Sequence, residues 1–318
     1  MFPPPFLPFP QPDGFLPYYG GYALPDMGGL GLSIQLVTAA NFEAELYTIA
    51  ALLPKFPVVA IDTEYPGTVH RPPAGRRERD LAPADRYALV KANVDELPIV
   101  RLGITLCDAD GNVPLVAGAG AARPRERAWE FIFSDFDPLR DRHAPESVAF
   151  LRSRGVDFRL APEGGVRAAA FAARLAAVLA PARLRGDLAW AAFGGAYDFA
   201  YMVKMLSGGQ PLPGTWHDFM AQTKALLGGR LFDGKYMAEH SGRPDLCGGG
   251  LRRVAARLGA PMPNPAAPCL AGPKSYIACG IYTAMRRHFR DQDHGVGWRF
   301  FIDHDHGAWF DGLIDGFH

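Results

Sequence analysis

The chain has no CxxC pair, and its four cysteines (Cys107, Cys247, Cys269 and Cys279) lack the spacing of a disulfide framework or a zinc site. They suit a reducing compartment. Net charge is also missing: 33 Lys and Arg balance 33 Asp and Glu, so no global field draws the chain to nucleic acid or an anionic membrane. A local basic groove for RNA remains open to it. No stretch is apolar for long enough to span a bilayer, which excludes a membrane partner of that kind. The Pro- and Phe-rich start lacks the basic end and apolar core of a signal peptide, so a cytosolic or nuclear protein is expected. No Gly-x-Ser-x-Gly elbow supports serine-hydrolase chemistry. Gly248-Gly249-Gly250 lacks the Lys-Ser/Thr of a P-loop and reads as the turn before a helix.

What is present fits one large α/β domain or two small ones. Residues 1–31 are rich in Pro, Phe and Gly and are expected to form a disordered tail, with residues 32–318 as a single domain. Strands are expected over 33–38, 58–63, 98–107, 129–133 and 188–193, with one more after the Asp108–Asn112 turn. Helices are expected from Phe42 to Leu53, then over 145–155, 165–180, 198–206, 219–227, 250–258 and 275–289. Arg71 to Arg86 reads as a polar loop. Early strands followed mostly by helices predict an α/β sandwich with a mixed sheet.

The most informative segment is Val58-Val59-Ala60-Ile61-Asp62-Thr63-Glu64. Residues i and i+2 of a strand share a face, so the Asp62 and Glu64 carboxylates project together. Like charges so placed are either solvated at an exposed strand end or held by a cation between them, and hard divalent ions take oxygen ligands. Asp198, in Gly194-Gly195-Ala196-Tyr197-Asp198, falls in the first turn of a helix, where the dipole favours a carboxylate. Alone it is a helix-start acid; beside Asp62 and Glu64 it becomes a candidate third ligand.

With these residues the chain resembles the CAF-type catalytic deadenylase subunits of the CCR–NOT complex, RNase D-like members of the DEDD exonuclease superfamily. Matching blocks include FPVVAIDTEYPGTVHRP, GAYDFAYMVKML, LFDGKYM and GGGLRRVAARLG, in the family's order. The resemblance implies an RNase H-like exonuclease fold, a mixed central sheet with helices on both faces. It also implies stepwise removal of AMP from the 3′ end of poly(A) RNA, two divalent metals (Mg²⁺ or Mn²⁺), CCR–NOT subunits as partners, and a place in nucleus and cytoplasm. By the same resemblance Asp62, Glu64 and Asp198 fill three of the four metal-binding and catalytic positions.

The fourth position departs from the family. There the pattern is His-x-x-x-x-Asp; here Cys269 stands in the histidine's place and Lys274 in the acid's. Gly194 also replaces a usual histidine. At 4 Å and an effective dielectric near 20, one unit charge pair is worth about 4 kcal/mol. A divalent ion facing Lys274 would lose roughly 8 kcal/mol of attraction and meet a repulsion of similar size. The expectation is fewer metals than two, even none, with Lys274 paired to Asp62 or Glu64. Two readings follow: a weakened poly(A)-specific 3′→5′ exoribonuclease, or an inactive paralogue that binds RNA or acts as a scaffold. His288-x-x-x-x-Asp293 repeats the missing spacing but comes about 19 residues late, at the far end of a helix roughly 25–30 Å long. His304-Asp305-His306 reads as a solvated turn, and Arg71, Arg76, Arg77 and Arg79 as a loop diluted by acids. Asp233, in the LFDGKYM block, is expected to start a helix or accept hydrogen bonds.

Overall fold

The computed structural model describes residues 22–24, 31–117, 123–263, 269–293 and 310–317. Its strands are β1 (Tyr22–Leu24), β2 (Leu32–Val37), β3 (Val58–Glu64), β4 (Arg101–Cys107), β5 (Leu115–Val116), β6 (Arg125–Ile132), β7 (Ala189–Ala192) and β8 (Arg230–Asp233). Its helices are α1 (Phe42–Leu52), α2 (Pro83–Glu96), α3 (Pro145–Ser153), α4 (Ala161–Gly164), α5 (Ala168–Arg185), α6 (Ala196–Leu206), α7 (Trp216–Leu227), α8 (Gly234–Glu239), α9 (Leu251–Leu258) and α10 (Ala271–Asp293). The strands form one sheet in the order β1-β2-β6-β4-β3-β7-β8, with β5 on the flank of β6. Pairs β2–β6, β3–β7 and β7–β8 are parallel, whereas β1–β2, β3–β4 and β4–β6 are antiparallel. The sheet is therefore mixed, as expected. No helix among the described residues is long and apolar enough to cross a membrane.

Alternation along β3 feeds two cores. Val59 and Ile61 join the cluster that includes Leu46, Leu175 and Tyr201. Val58 and Ala60 join Ile277 and Ile281 on the opposite face. Asp62 and Glu64 continue the second row and so come up against α10, while Thr63 continues the first.

Four expectations are corrected. Tyr22–Leu24, inside the expected tail, pairs antiparallel with β2; the rest of residues 1–30 lies outside the described residues. The Arg71–Arg86 loop ends early, because α2 starts at Pro83, whose fixed φ and missing N–H suit a first helical position. Helix α5 runs through Pro181 to Arg185 and stops at Gly186, which takes φ +70°. Strand β6 begins at Arg125, four residues before the apolar run, because its polar start pairs with β2 and β5.

Candidate active site

A cavity of about 480 Å³ opens at the end of β3 and is lined by Asp62, Glu64, Asp198 and Lys274, among others. The three predicted acids and the departing lysine thus share one site. Helix α10 brings the lysine. Its first turn lies on β4 at Gly103, which pairs with Asp62; a Cβ on Gly103 would stand 1.9 Å from the Ala271 carbonyl oxygen. The Gly272 N–H donates to Glu130 Oε2 at 2.8 Å, and Glu130, fully buried, is also paired with Arg101. That carboxylate sits at the positive end of α10, where a negative charge is favoured. The Ser275 hydroxyl lies 2.9 Å from the Thr105 hydroxyl and completes the seat.

Held this way, Lys274 Nζ lies 2.8 Å from Glu64 Oε1 and 3.2 Å from Asp62 Oδ2. The expected ion pair is present with both acids at once. Burial alone would lower the Lys274 ammonium, yet Asp62 and Glu64 outweigh it and hold the group above the ordinary lysine value. Burial pushes Asp62 well up; Lys274 opposes this, and Asp198 and Glu64 add to it. Glu64 is raised by burial too, against the pull of Lys274.

Asp198 reaches the cavity from the other face of the sheet. Its Oδ1 accepts hydrogen bonds from the Thr63 N–H at 2.7 Å and the Thr63 hydroxyl at 2.6 Å. Burial raises Asp198 to about 6, against these two bonds. Among the described residues, no group of three His, Cys, Asp or Glu side chains could hold a metal ion. A divalent ion shared by Asp62 and Glu64 would need the room that the Lys274 ammonium takes. The residues present therefore do not fit an ion at that place.

Cys269 stands half-buried just before α10. Burial raises its thiol, while Arg252 of α9 and Lys274 pull it down. Gly194, where the resemblance expects a histidine, takes φ +67°, a region that favours glycine. Asp233 is the N-cap of α8, as expected, and does more than that. It is fully buried and accepts the N–H groups of Gly194, Gly195, Lys235 and Asp315 at 2.8, 3.0, 2.9 and 3.1 Å. It thereby fixes the glycine turn that launches α6 and Asp198.

Asp293 is the last residue of α10, nineteen positions past Lys274, and a helix of that length carries it about 28 Å away. His304, Asp305 and His306 lie outside the described residues. Of the basic loop, Arg71 is paired with Glu146 and Arg77 with Asp80. Sequence reasoning missed Thr63, Glu130, Arg101 and Arg252. Only Thr63 carried a local signal, as the middle residue of Asp-x-Glu.

Residues 37–168 match the model of the CAF1 family ribonucleases. A probable CCR4-associated factor 1 homolog 7 of Arabidopsis thaliana is 31% identical over 227 residues, 71% of this chain and 78% of that protein. The chain belongs to the CAF1 ribonuclease family. Poly(A) ribonuclease pop2 of Schizosaccharomyces pombe is 34% identical over 203 residues, 62% of this chain but only 56% of the relative's length. The solved structure of S. pombe Pop2p in its Mg²⁺ and Mn²⁺ bound form superposes with a TM-score of 0.70 at 28% identity. It covers 89% of this chain and 99% of that one. The CAF1 architecture of this chain is thus the RNase H-like exonuclease fold expected from its sequence.

Proposed function

We propose that this chain acts in mRNA deadenylation as a CAF-type subunit of a CCR–NOT-type assembly, and that its own poly(A)-specific 3′→5′ exoribonuclease activity is low or lost. The family and the names of its relatives support the role: one is a poly(A) ribonuclease and another a CCR4-associated factor homologue. Its substrate would be poly(A) RNA, its place nucleus and cytoplasm. One observation supports the loss. The Lys274 ammonium lies within 3.2 Å of both Asp62 and Glu64, where family chemistry asks for a divalent cation.

A protonated lysine offsets one of the acid charges but cannot do a metal's work. It offers no open coordination position and does not bring a bound water toward neutral pKa. Cys269, raised by burial, replaces the family's histidine and leaves no obvious general base, a deficit worth about 10²–10⁴ in rate. The second reading, an inactive RNA-binding or scaffold paralogue, draws on the same lysine and differs only in whether residual activity reaches zero.

A timed assay on 5′-labelled oligo(A) with Mg²⁺ or Mn²⁺ tests the proposal. The parent should give little or no ladder, and Lys274→Asp combined with Cys269→His should gain activity by at least a hundredfold. A strong ladder from the parent that vanishes in Asp62→Ala, together with two tight metal sites by calorimetry, would overturn the degenerate-site reading.

A further inference from the structure

Helix α3 stands between the acidic cavity and a second, larger one. Glu146, Ser147 and Phe150 line the first. Arg152 lines the second, a groove of about 730 Å³ that also takes in Leu139, Val156 and Phe158. Phe150 is 47% exposed at the rim of the acidic cavity, and the Arg154 guanidinium lies over its ring, 5.1 Å from the centroid. At the groove, Arg152 lies over the Phe158 ring at 5.6 Å. Two cation–aromatic pairs therefore stand side by side where α3 ends, one at the edge of each cavity.

The charges on this face are not all alike. Arg159 is paired with Asp157 at 3.3 Å, and Arg140 with Asp137 at 3.5 Å. Among the described residues, Arg152 and Arg154 have no acidic partner. The acidic floor repels phosphate, so a strand entering the cavity must find its cations outside it. An exposed aromatic ring beside guanidinium groups is how single strands are held without base-pair readout. Here Phe150 supplies the ring, whereas Phe158 is buried and only seats Arg152.

We infer that the C-terminal turn of α3 and the loop after it form the track for single-stranded polynucleotide leaving the cavity. Phe150 stacks a base at the rim, and Arg154 and Arg152 meet successive phosphates. This rests on the reading that the cavity receives the 3′ end of poly(A). The place of Phe150 on the rim of that cavity and the two uncompensated cations beside it favour a polynucleotide over a protein as occupant.

Fluorescence polarisation of labelled A20 with the full chain, at several salt concentrations, provides the test. Arg152→Glu with Arg154→Glu should weaken A20 binding at least tenfold and flatten the log–log salt slope by about 1.4, at about 0.7 per phosphate contact. Phe150→Ala should weaken it about five- to hundredfold. Arg174→Glu, on α5 and paired with Glu43, should stay within about twofold, and competition by AMP should be unchanged in every variant. If the parent binds A20 and the α3 variants bind equally well, the track is wrong and the poly(A) reading survives. If those same variants also lose co-purification with other CCR–NOT subunits, the face belongs to a protein. If the parent binds no oligonucleotide at all, both readings fall.

Discussion

Two strands of one sheet, β3 and β8, flank β7 and end in buried acids, and they neutralise them in opposite ways. At β8, Asp233 accepts four backbone N–H groups. At β3, Asp62 and Glu64 share one side-chain ammonium. Burial raises the carboxylates at both places. Backbone donors are set by the path of the chain, so no single neighbouring substitution removes them. A lysine can be exchanged in one step. The β8 site is therefore architecture, whereas the β3 site is where a cation can be replaced without redrawing the fold.

The largest effect should come from the architectural site. Asp233→Ala strands four N–H groups around a residue with no exposure, and should cost about 4 kcal/mol of stability by urea denaturation. A loss below about 1 kcal/mol would mean that water or a shifted glycine turn satisfies those donors, and the contrast between the sites would fail. Lys274→Met should cost less, about 3 kcal/mol at pH 8, because it leaves two acids buried without a counter-ion. Carboxylates whose folded pKa lies above the unfolded value keep their stability at low pH and lose it as pH rises. The Lys274→Met penalty should therefore shrink toward pH 4.5, and Mn²⁺ should raise the melting temperature of the variant more than that of the parent. A penalty equal at both pH values would assign it to lost packing of the lysine stem.

These two sites were not equally legible in the sequence. The period of two in a strand put Asp62 and Glu64 on one face, and the resemblance to the family, carried by the Cys269–Ser275 stretch, implied Lys274 opposite them. Asp198 was visible as a first-turn acid, but not that it arrives from the other face of the sheet through Thr63. Asp233 was visible as a helix start. Its hub was not, because the donors come from residues 39 positions before it and 82 after it. Glu130 and Arg101 sit on neighbouring strands, and nothing local marks either as the seat of α10. No helix is read over α2, because its first turn falls in the polar Arg71–Arg86 stretch and residues 87–96 carry many polar side chains, although Tyr87, Val90 and Val94 bury one of its faces. Strand β8 has only four residues between glycines, too few for alternation to show.

The smallest effect sharpens the contrast from the third acid. Asp198 is buried and held at about 6, whereas an unfolded Asp titrates near 3.9. A raised folded value means that this carboxylate favours the fold below about pH 4 and weakens it as pH climbs through 6. Two units correspond to about 3 kcal/mol at most, and coupling to Asp62 and Lys274 will reduce it. Asparagine keeps an Oδ1 that can accept both Thr63 hydrogen bonds, so Asp198→Asn removes the charge and little else. It should therefore be more stable than the parent by about 1–2 kcal/mol at pH 8 and indistinguishable from it at pH 4. A variant less stable at pH 8 would mean that the Asp198 charge is used in the resting fold by the Lys274 ammonium. The lysine would then serve three acids and not two, and the β3 site would be as much architecture as the Asp233 hub.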